Sequence, residues 1–404
     1  MEIPKGATVR LTTVEGDLDA GANVRIEADS GDRVTVRGTA RFQGDARIEP
    51  HFECGSLEVD NGTARFRQDL ISHDKVEGDH SVLEVGGNLT APRIDVDKSL
   101  RVAGATRADR LAVGGSLRTE GPVECAEITV GGVFEAQALV KGRSVEVGGK
   151  AELGPIDLES FEVGGKGSVR SGTIRKNVSV GGVFESIGDL EFGDIEVGGL
   201  AHLHGSGAGH AIEVGGKCTV EGNLSCVSLE VGGLGSVGGN LAGEKVEIGG
   251  RISIKGDVRL SGQFEVGGEA RIGGMATMGG LEVGGSFRAR QAILSGSAEV
   301  GGEIGTESGL KASSVEIGRH GRATGPLVGG RIEVGPKAVV EDLFGQDVEI
   351  NAQARARRVV GARVRIRSGA RVSEILYSER LDIDPGAVVD HPPQKVDQLP
   401  AFPL

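Results

Sequence analysis

The 404-residue chain has no tryptophan, one tyrosine and an aromatic content of 3%. Large rings therefore cannot dominate a core, although 38% hydrophobic residues suffice for a thin core of Val, Ile, Leu and Ala. Twelve prolines are too few for a proline-rich polymer. The four cysteines lack metal-finger spacing and disulfide-scaffold density, so we expect reduced thiols at Cys54, Cys125, Cys218 and Cys226.

Targeting and membrane signals are also scarce. No stretch approaches the ~18 consecutive apolar residues that a membrane helix requires. Residues 1–6 show no basic region followed by an apolar run, which predicts a cytoplasmic protein. The net charge of −13 argues against general nucleic-acid binding and against adhesion of the whole surface to anionic membranes.

Glycine, by contrast, is abundant, with 70 residues, and it recurs regularly. Its lack of a strict three-residue period excludes collagen, and self-similarity at a longer period is typical of stacked repeats. The repeat has a mean length of about 17 residues. Val or Ile followed by Gly-Gly places the first glycine at 114, 131, 148, 164, 181, 198, 215, 232, 249, 267, 284 and 301, and single glycines continue the series at 318 and 335.

Each repeat contains three short runs in which apolar and polar residues alternate. Alternation with period two predicts strands with one buried face, and three strands with three corners predict a triangular coil. We expect the glycines to supply the positive φ of tight corners. The predicted core positions include Val147, Leu153, Val169, Val220, Leu224 and Val231.

The predicted fold is therefore all-β: a single-stranded triangular β-solenoid, or β-helix, with about 17 residues per coil. Its regular part spans residues 81–390. Residues 1–80 break the period and predict irregular N-terminal coils or a cap. Residues 391–404 form a proline-rich tail that we expect not to pair as a strand, because proline removes ladder donors.

The sequence patterns that could indicate a nucleotide, metal or catalytic site are of low specificity. Gly233, Gly235 and Gly238 match the letters of a dinucleotide-binding fingerprint, but no helix pattern follows them. His202 and His204 lie outward on one strand, and neighbouring columns offer Glu185 and Glu221 as possible further ligands. Because a zinc site usually needs three or four converging groups with a second shell, solvated surface histidines are the favoured interpretation. We assign no catalytic residue, metal or cofactor, and the prediction is that the protein is not an enzyme.

Two charged surfaces stand out. Arg363, Arg365 and Arg367 lie in a basic stretch, and this basic patch is either a solvated face or a docking surface for an acidic partner or anionic lipid. An acidic ladder recurs once per repeat and is either a solubility device or a strip for lateral bundling through divalent cations or a neighbouring arginine face. Its members are Glu146, Glu162, Glu196, Glu213, Glu230, Glu247, Glu265, Glu282, Glu299, Glu316, Glu333 and Glu349, with Ser179 in one slot.

A recurring segment has the form aliphatic-x-Gly-Asp/Asn-aliphatic, at residues 14–18, 220–224 and 254–258. Together with the 17-residue coil, these segments resemble the bactofilins, polymer-forming cytoskeletal proteins of bacteria with archaeal relatives. The resemblance implies a right-handed β-helix that assembles end to end into filaments without nucleotide.

The leading functional hypothesis is a self-assembling cytoskeletal or scaffold protein whose partner is another copy of itself. Only the terminal coils of a solenoid have free strand edges, so we expect the interface at Val9, Leu11, Leu381, Ile383 and Phe402. One alternative is a β-helical acyltransferase, but such enzymes have 18-residue coils and an inserted catalytic loop. A surface adhesin is the other alternative, and it would need an export signal.

Overall fold

A computed structural model describes residues 1–403. This part of the chain contains 49 strands and no helix. The chain divides into two units, Met1–His202 and Leu203–Leu404. In each unit the strands pair in parallel with the equivalent strands of the next repeat along the chain, which confirms the predicted β-solenoid.

The strands of the first unit, the last of which reaches the boundary, are β1 Glu2–Ile3, β2 Thr8–Leu11, β3 Thr13–Val14, β4 Leu18–Ala20, β5 Val24–Ala28, β6 Arg33–Gln43, β7 Ala46–Ile48, β8 His51–Asp60, β9 Thr63–Phe66, β10 Leu70–Ser72, β11 Lys75–Asp79, β12 Val82–Val85, β13 Leu89–Thr90, β14 Arg93–Val96, β15 Ser99–Val102, β16 Thr106–Val113, β17 Ser116–Thr119, β18 Val123–Val130, β19 Val133–Ala136, β20 Val140–Lys141, β21 Ser144–Val147, β22 Lys150–Val163, β23 Lys166–Val180, β24 Val183–Ser186, β25 Leu190–Val197 and β26 Leu200–Leu203.

The strands of the second unit are β27 Gly207–Val214, β28 Lys217–Val220, β29 Leu224–Val231, β30 Leu234–Val237, β31 Leu241–Ile248, β32 Arg251–Ile254, β33 Val258–Leu260, β34 Gln263–Val266, β35 Glu269–Ile272, β36 Met275–Met278, β37 Gly280–Val283, β38 Ser286–Ala289, β39 Gln291–Leu294, β40 Ser297–Val300, β41 Glu303–Thr306, β42 Leu310–Ile317, β43 Arg322–Thr324, β44 Leu327–Val334, β45 Val339–Ile350, β46 Arg355–Ile366, β47 Arg371–Ile383, β48 Val388–Val389 and β49 Gln394–Lys395.

Each coil presents three faces, and each face is a parallel ladder. Face A holds the strand before the Gly-Gly corner, face B the strand after it, and face C the third strand. In the first unit β14 stacks on the end of β16 in face A, and β15 stacks on β17 in face B. In the second unit the start of β29 stacks on the start of β31 in face C.

The core consists of the inward positions of these three faces. Val147, Leu153, Val169, Val220, Leu224 and Val231 are all buried, as predicted. The four cysteines are also free and buried. Burial raises the pKa of the Cys218 and Cys226 thiols to about 12, so both are inert packing groups at neutral pH.

The Gly-Gly corners do not have the positive φ that the sequence predicts; the left-handed glycines lie at other positions. The Gly-Gly corners need glycine because consecutive corners stack too closely for a side chain. A Cβ placed on Gly131 would lie 2.2 Å from the carbonyl oxygen of Gly114, and one on Gly249 would lie 2.4 Å from that of Gly232. The prediction of positive φ at these glycines was therefore wrong. Glycine occurs there because the backbones of successive coils approach each other closely.

Residues 1–80 contain coils with the same three faces but unequal lengths. Asp19 stacks on Arg41 in face A, and Glu58 stacks on Glu77, so both of these coils are longer than the regular repeat. Three rings lie in the coils of this region, with centroids 5.5 to 6.3 Å apart. They belong to Phe42, Phe52 and Phe66, and all three are buried.

Part of the tail pairs as a strand, which corrects the expectation for residues 391–404. Strand β49 stacks on Leu376–Tyr377 of β47, and the Val396 N–H donates to the Tyr377 carbonyl at 2.9 Å. Prolines occupy positions 392 and 393, so they precede the strand and leave the donors of residues 394–396 intact.

The Gly-Asp/Asn segments hold successive coils together at one corner. The Asn223 Oδ1 accepts a hydrogen bond from the backbone N–H of Asn240 at 2.8 Å, and the Asn240 Oδ1 accepts from Asp257 at 2.8 Å. In the first unit, Asp17 accepts from the backbone N–H of Thr39, which lowers the pKa of the Asp17 carboxyl. The segments therefore supply side-chain acceptors for the next coil's backbone.

Candidate assembly surfaces

The last complete coil leaves one strand edge open. In β47, residues 371–372 are covered by β48, and residues 376–377 are covered by β49. No residue up to 403 pairs with the outer edge of residues 380–383 in face A. Leu381 is half-buried there, and Ile383 is 39% exposed. This edge offers backbone hydrogen-bonding groups beside apolar side chains.

The first coil also has open edges. Its strands β1, β2 and β3 stack on β4, β5 and β6, and no described residue pairs with their other edges. The predicted interface residues Val9 and Leu11 both lie in β2, where Val9 is half-buried and Leu11 is 8% exposed. The first coil therefore combines free backbone groups with a nearly closed core.

Phe402 lies on the side of the solenoid and not at the open edge. The outer column of face C carries four stacked apolar residues, which we name the outer stripe: Val328, Phe344, Val360 and Leu376. Leu399 and Phe402 pack against this stripe, and the rings of Phe344 and Phe402 are 6.0 Å apart. The tail thus turns back along the side of the second unit.

The basic patch is offset by carboxylates of the same and neighbouring coils. Arg363 contacts Asp347 at 2.5 Å and Glu379 at 2.9 Å, and these hydrogen bonds raise the pKa of Arg363. Arg365 and Arg367 both contact Glu349, at 3.4 and 2.8 Å. Side-chain pairing within the fold therefore accounts for much of this positive charge.

The acidic ladder stacks in register along face A, as its spacing requires. Glu265, Glu282, Glu299 and Glu316 follow one another in the second unit, and no ion pair to these four is present among residues 1–403. Other members have cationic partners. Glu247 contacts Lys245, Glu333 contacts Arg331, and Glu349 contacts Arg365 and Arg367.

A group missed by sequence reasoning lies at a corner of the first unit. The ligand atoms of Asp79, His80 and Asp97 are within 4.8 Å of one another, and all three residues are exposed. His80 already hydrogen-bonds to Asp79 through its ring at 2.7 Å and to Asp97 through its backbone N–H at 3.1 Å. In the second unit, His204 contacts Glu221 at 3.2 Å.

An open groove crosses face C of the first unit. Its outer column alternates in charge along the sequence Arg107, Glu124, Lys141 and Asp157. Arg107 lies 3.7 Å from Glu124, and Arg175 lies 2.5 Å from Asp157. Opposite charges on adjacent coils therefore neutralise one another along the groove.

Residues 1–403 contain no helix long and apolar enough to cross a membrane. No known protein family, curated protein or solved structure matches the chain. The features of the fold that bear on function are the strand edges, the outer stripe and the charged columns.

One signal in the sequence could have located the outer stripe. Val328, Phe344, Val360 and Leu376 follow one another at equal intervals along the chain. Each lies at an outward position, where a solenoid normally carries polar residues, so the run indicates a covered surface.

Proposed function

We propose that the protein is a structural scaffold that assembles end to end through the open strand edges of its terminal coils. The observation that carries this proposal is the unpaired edge at residues 380–383, which exposes Ile383 beside free backbone groups. A parallel strand added to this edge would satisfy those groups and cover the side chain. The proposal includes two further parts: that the protein is related to the bactofilins, and that it acts in the cytoplasm.

Internal strands cannot assemble in this way because both of their edges are occupied. Strand β39, for example, lies between β36 and β42, and its outward Ile293 is 37% exposed. Ile293 and Ile383 have nearly equal exposure. Ile383 lies in the inward column on the buried Ile366, in a strand with a free edge, whereas Ile293 points outward from a strand with both edges occupied. This pair provides a matched test of the proposal.

The experiment compares the wild-type chain with Ile383→Asp and Ile293→Asp by sedimentation and negative-stain electron microscopy. We expect elongated assemblies for the wild-type chain and for Ile293→Asp, and loss of assembly for Ile383→Asp, because a charge at the edge cannot be buried in a junction. Equal assembly by all three chains, or no assembly of the wild-type chain at any concentration, would refute the proposal.

A further inference from the structure

The first and last coils share a corner that differs from the Gly-Gly corner. Residues 3–7 read Ile-Pro-Lys-Gly-Ala, and residues 383–387 read Ile-Asp-Pro-Gly-Ala. Gly6 and Gly386 are both left-handed, with φ of +77° and +85°. In each corner the alanine N–H donates to the carbonyl three residues earlier, at 3.3 Å for Ala7 and 3.2 Å for Ala387. The two ends therefore present corners of one conformation.

Corners of this kind stack on one another through a specific hydrogen bond. The left-handed residue donates its N–H to the carbonyl of the residue that precedes the left-handed residue of the next coil. Lys337 donates in this way to Ala352 at 3.0 Å, and Gln353 donates to Ser368 at 3.3 Å. At the other end of the chain, Gly6 donates to Ala22 at 2.9 Å, next to the left-handed Asn23.

The last corner of the series has a donor without such an acceptor. The Gly386 N–H makes no hydrogen bond with any residue up to 403, while its carbonyl accepts from Gly369 at 3.2 Å. Gly369 departs from the pattern by one residue, because its acceptor belongs to the left-handed Gly386 itself. By the pattern of the corners at Lys337 and Gln353, the acceptor of Gly386 would be the carbonyl before the left-handed residue of a further coil. In the first coil of the chain, that carbonyl belongs to Lys5.

The order of free edges matches as well. The C-terminal end presents residues 380–383 in face A, then β48 in face B and β49 in face C. The first coil presents β1, β2 and β3 in the same order. Five residue steps separate Ile383 from Val388, and five separate Ile3 from Thr8. The strands of faces A and B therefore have the same phase at the two ends. From face B to face C, six residue steps separate Val388 from Gln394 and five separate Thr8 from Thr13, so the last coil has one more residue at that corner.

We infer that this chain binds a second copy of itself head to tail and in register. Strand β1 of the second copy lies over residues 381–383, its β2 over β48 and its β3 over β49. Ile3 of the second copy then stacks on Ile383, and Gly386 donates to the Lys5 carbonyl of the second copy. The inference rests on the proposed end-to-end assembly and specifies its polarity and register.

The tail leaves room for this junction. After β49 the chain would next run along face A, above residues 380–383, if it continued the coil. Instead it turns aside and packs Leu399 and Phe402 on the outer stripe. The docked tail therefore leaves the face A edge free for β1 of the second copy.

Cysteine pairing tests the register directly. Stacked strands lie about 4.8 Å apart, a Cα separation that a disulfide spans. Ile3→Cys and Ile383→Cys chains are mixed under mild oxidation, and the control mixes Val9→Cys with Ile383→Cys, which belong to different faces. The native cysteines are buried, and burial holds the pKa of the Cys218 thiol near 12, so they should not compete.

We expect a disulfide-linked mixed dimer from the first mixture and none from the control. Sedimentation is measured on the same samples before oxidation. Assembly without the Ile3→Cys and Ile383→Cys disulfide would overturn the register while leaving end-to-end assembly intact. Dimers of Ile383→Cys alone would indicate tail-to-tail polarity and overturn the head-to-tail junction. Absence of assembly would overturn both this inference and the proposed function.

Discussion

The middle coils and the terminal coils turn their corners differently. In the middle coils, Gly-Gly corners keep ordinary φ values, and each glycine lies against the carbonyl of the glycine one coil before. In the terminal coils a left-handed residue makes the turn, as at Gly6, Lys337 and Gly386. A Cβ on Gly386 would meet its nearest atom only at 3.5 Å.

This difference shows that glycine has two separate roles at the corner between faces A and B, one in the middle coils and one in the terminal coils. Close stacking requires it in the middle coils, whereas backbone conformation favours it at the ends. Lys337 and Gln353 occupy the left-handed position of the terminal corners, which a side chain can do at moderate cost. The terminal corner is therefore a distinct structural type, and it occurs in the first and in the last coil.

The largest expected effect separates the cores of the two regions. Val220 is 1% exposed in a middle coil, so Val220→Asp should cost about 4 kcal/mol of unfolding free energy by burying an unpaired charge. Val389 is half-buried in the last coil, and Val389→Asp should cost about 1 kcal/mol. Chemical denaturation followed by circular dichroism measures both. Equal losses of unfolding free energy would contradict the difference between the fully buried core of the middle coils and the partly exposed core of the last coil.

A second test compares the two roles of glycine. Gly131→Ala should destabilise the fold by about 3 kcal/mol, because the added methyl group would overlap the Gly114 carbonyl oxygen. Gly386→Ala should cost only about 1 to 2 kcal/mol, because the change strains φ without a clash. The measurement is again the free energy of unfolding. A larger loss for Gly386→Ala would contradict the stacking explanation of the Gly-Gly corners.

A smaller effect is expected from releasing the tail. Phe402→Asp should undock residues 397–403 from the outer stripe at a cost of about 1 to 2 kcal/mol, since part of one aromatic ring loses its contacts. Amide hydrogen exchange should become faster at residues 394–396 and remain unchanged in the middle coils. Phe402→Leu serves as the control because it keeps an apolar contact. Unchanged exchange at residues 394–396 would contradict a tail held by the stripe.

The smallest effect concerns pH in the terminal coils. A hydrogen bond from Arg363 holds the pKa of the Asp347 carboxyl below its ordinary value of 3.8. The resulting stabilisation is present above that value and is lost as the pH falls through the lower folded-state pKa. Asp347→Asn should therefore flatten the loss of unfolding free energy below about pH 4. An identical acid profile for the variant would show that the pair adds no stability.

Much of the fold could be predicted because one period governs the middle coils. Alternation with period two identified inward residues such as Val169 and Leu224, and the spacing predicted the register of the acidic ladder. The conformation of the Gly-Gly corners could not be predicted in the same way. Glycine satisfies both a left-handed turn and a close approach, and only the distance between stacked backbones distinguishes them.

The ends were harder to predict because the spacing changes there. In sequence Val59 and Val76 are separated by one regular repeat, but Val76 stacks on Leu57 in a longer coil. At the other end, Phe402 could not be placed without knowing that face C carries an apolar outer column. The shared Ile-x-x-Gly-Ala segments are visible in the sequence. Only the structure shows that both form left-handed corners of the same kind.

The central claim is that the free edges of the terminal coils join separate copies. Amide hydrogen exchange of the wild-type chain at low and high protein concentration tests it most directly, because it needs no substitution. We predict that raising the concentration slows exchange at the open edges, in residues 2–11 and 381–388, while the middle coils, already paired on both sides, exchange at the same rate. Exchange that does not depend on concentration at these edges, or protection that appears instead along face A of the middle coils, would contradict end-to-end assembly.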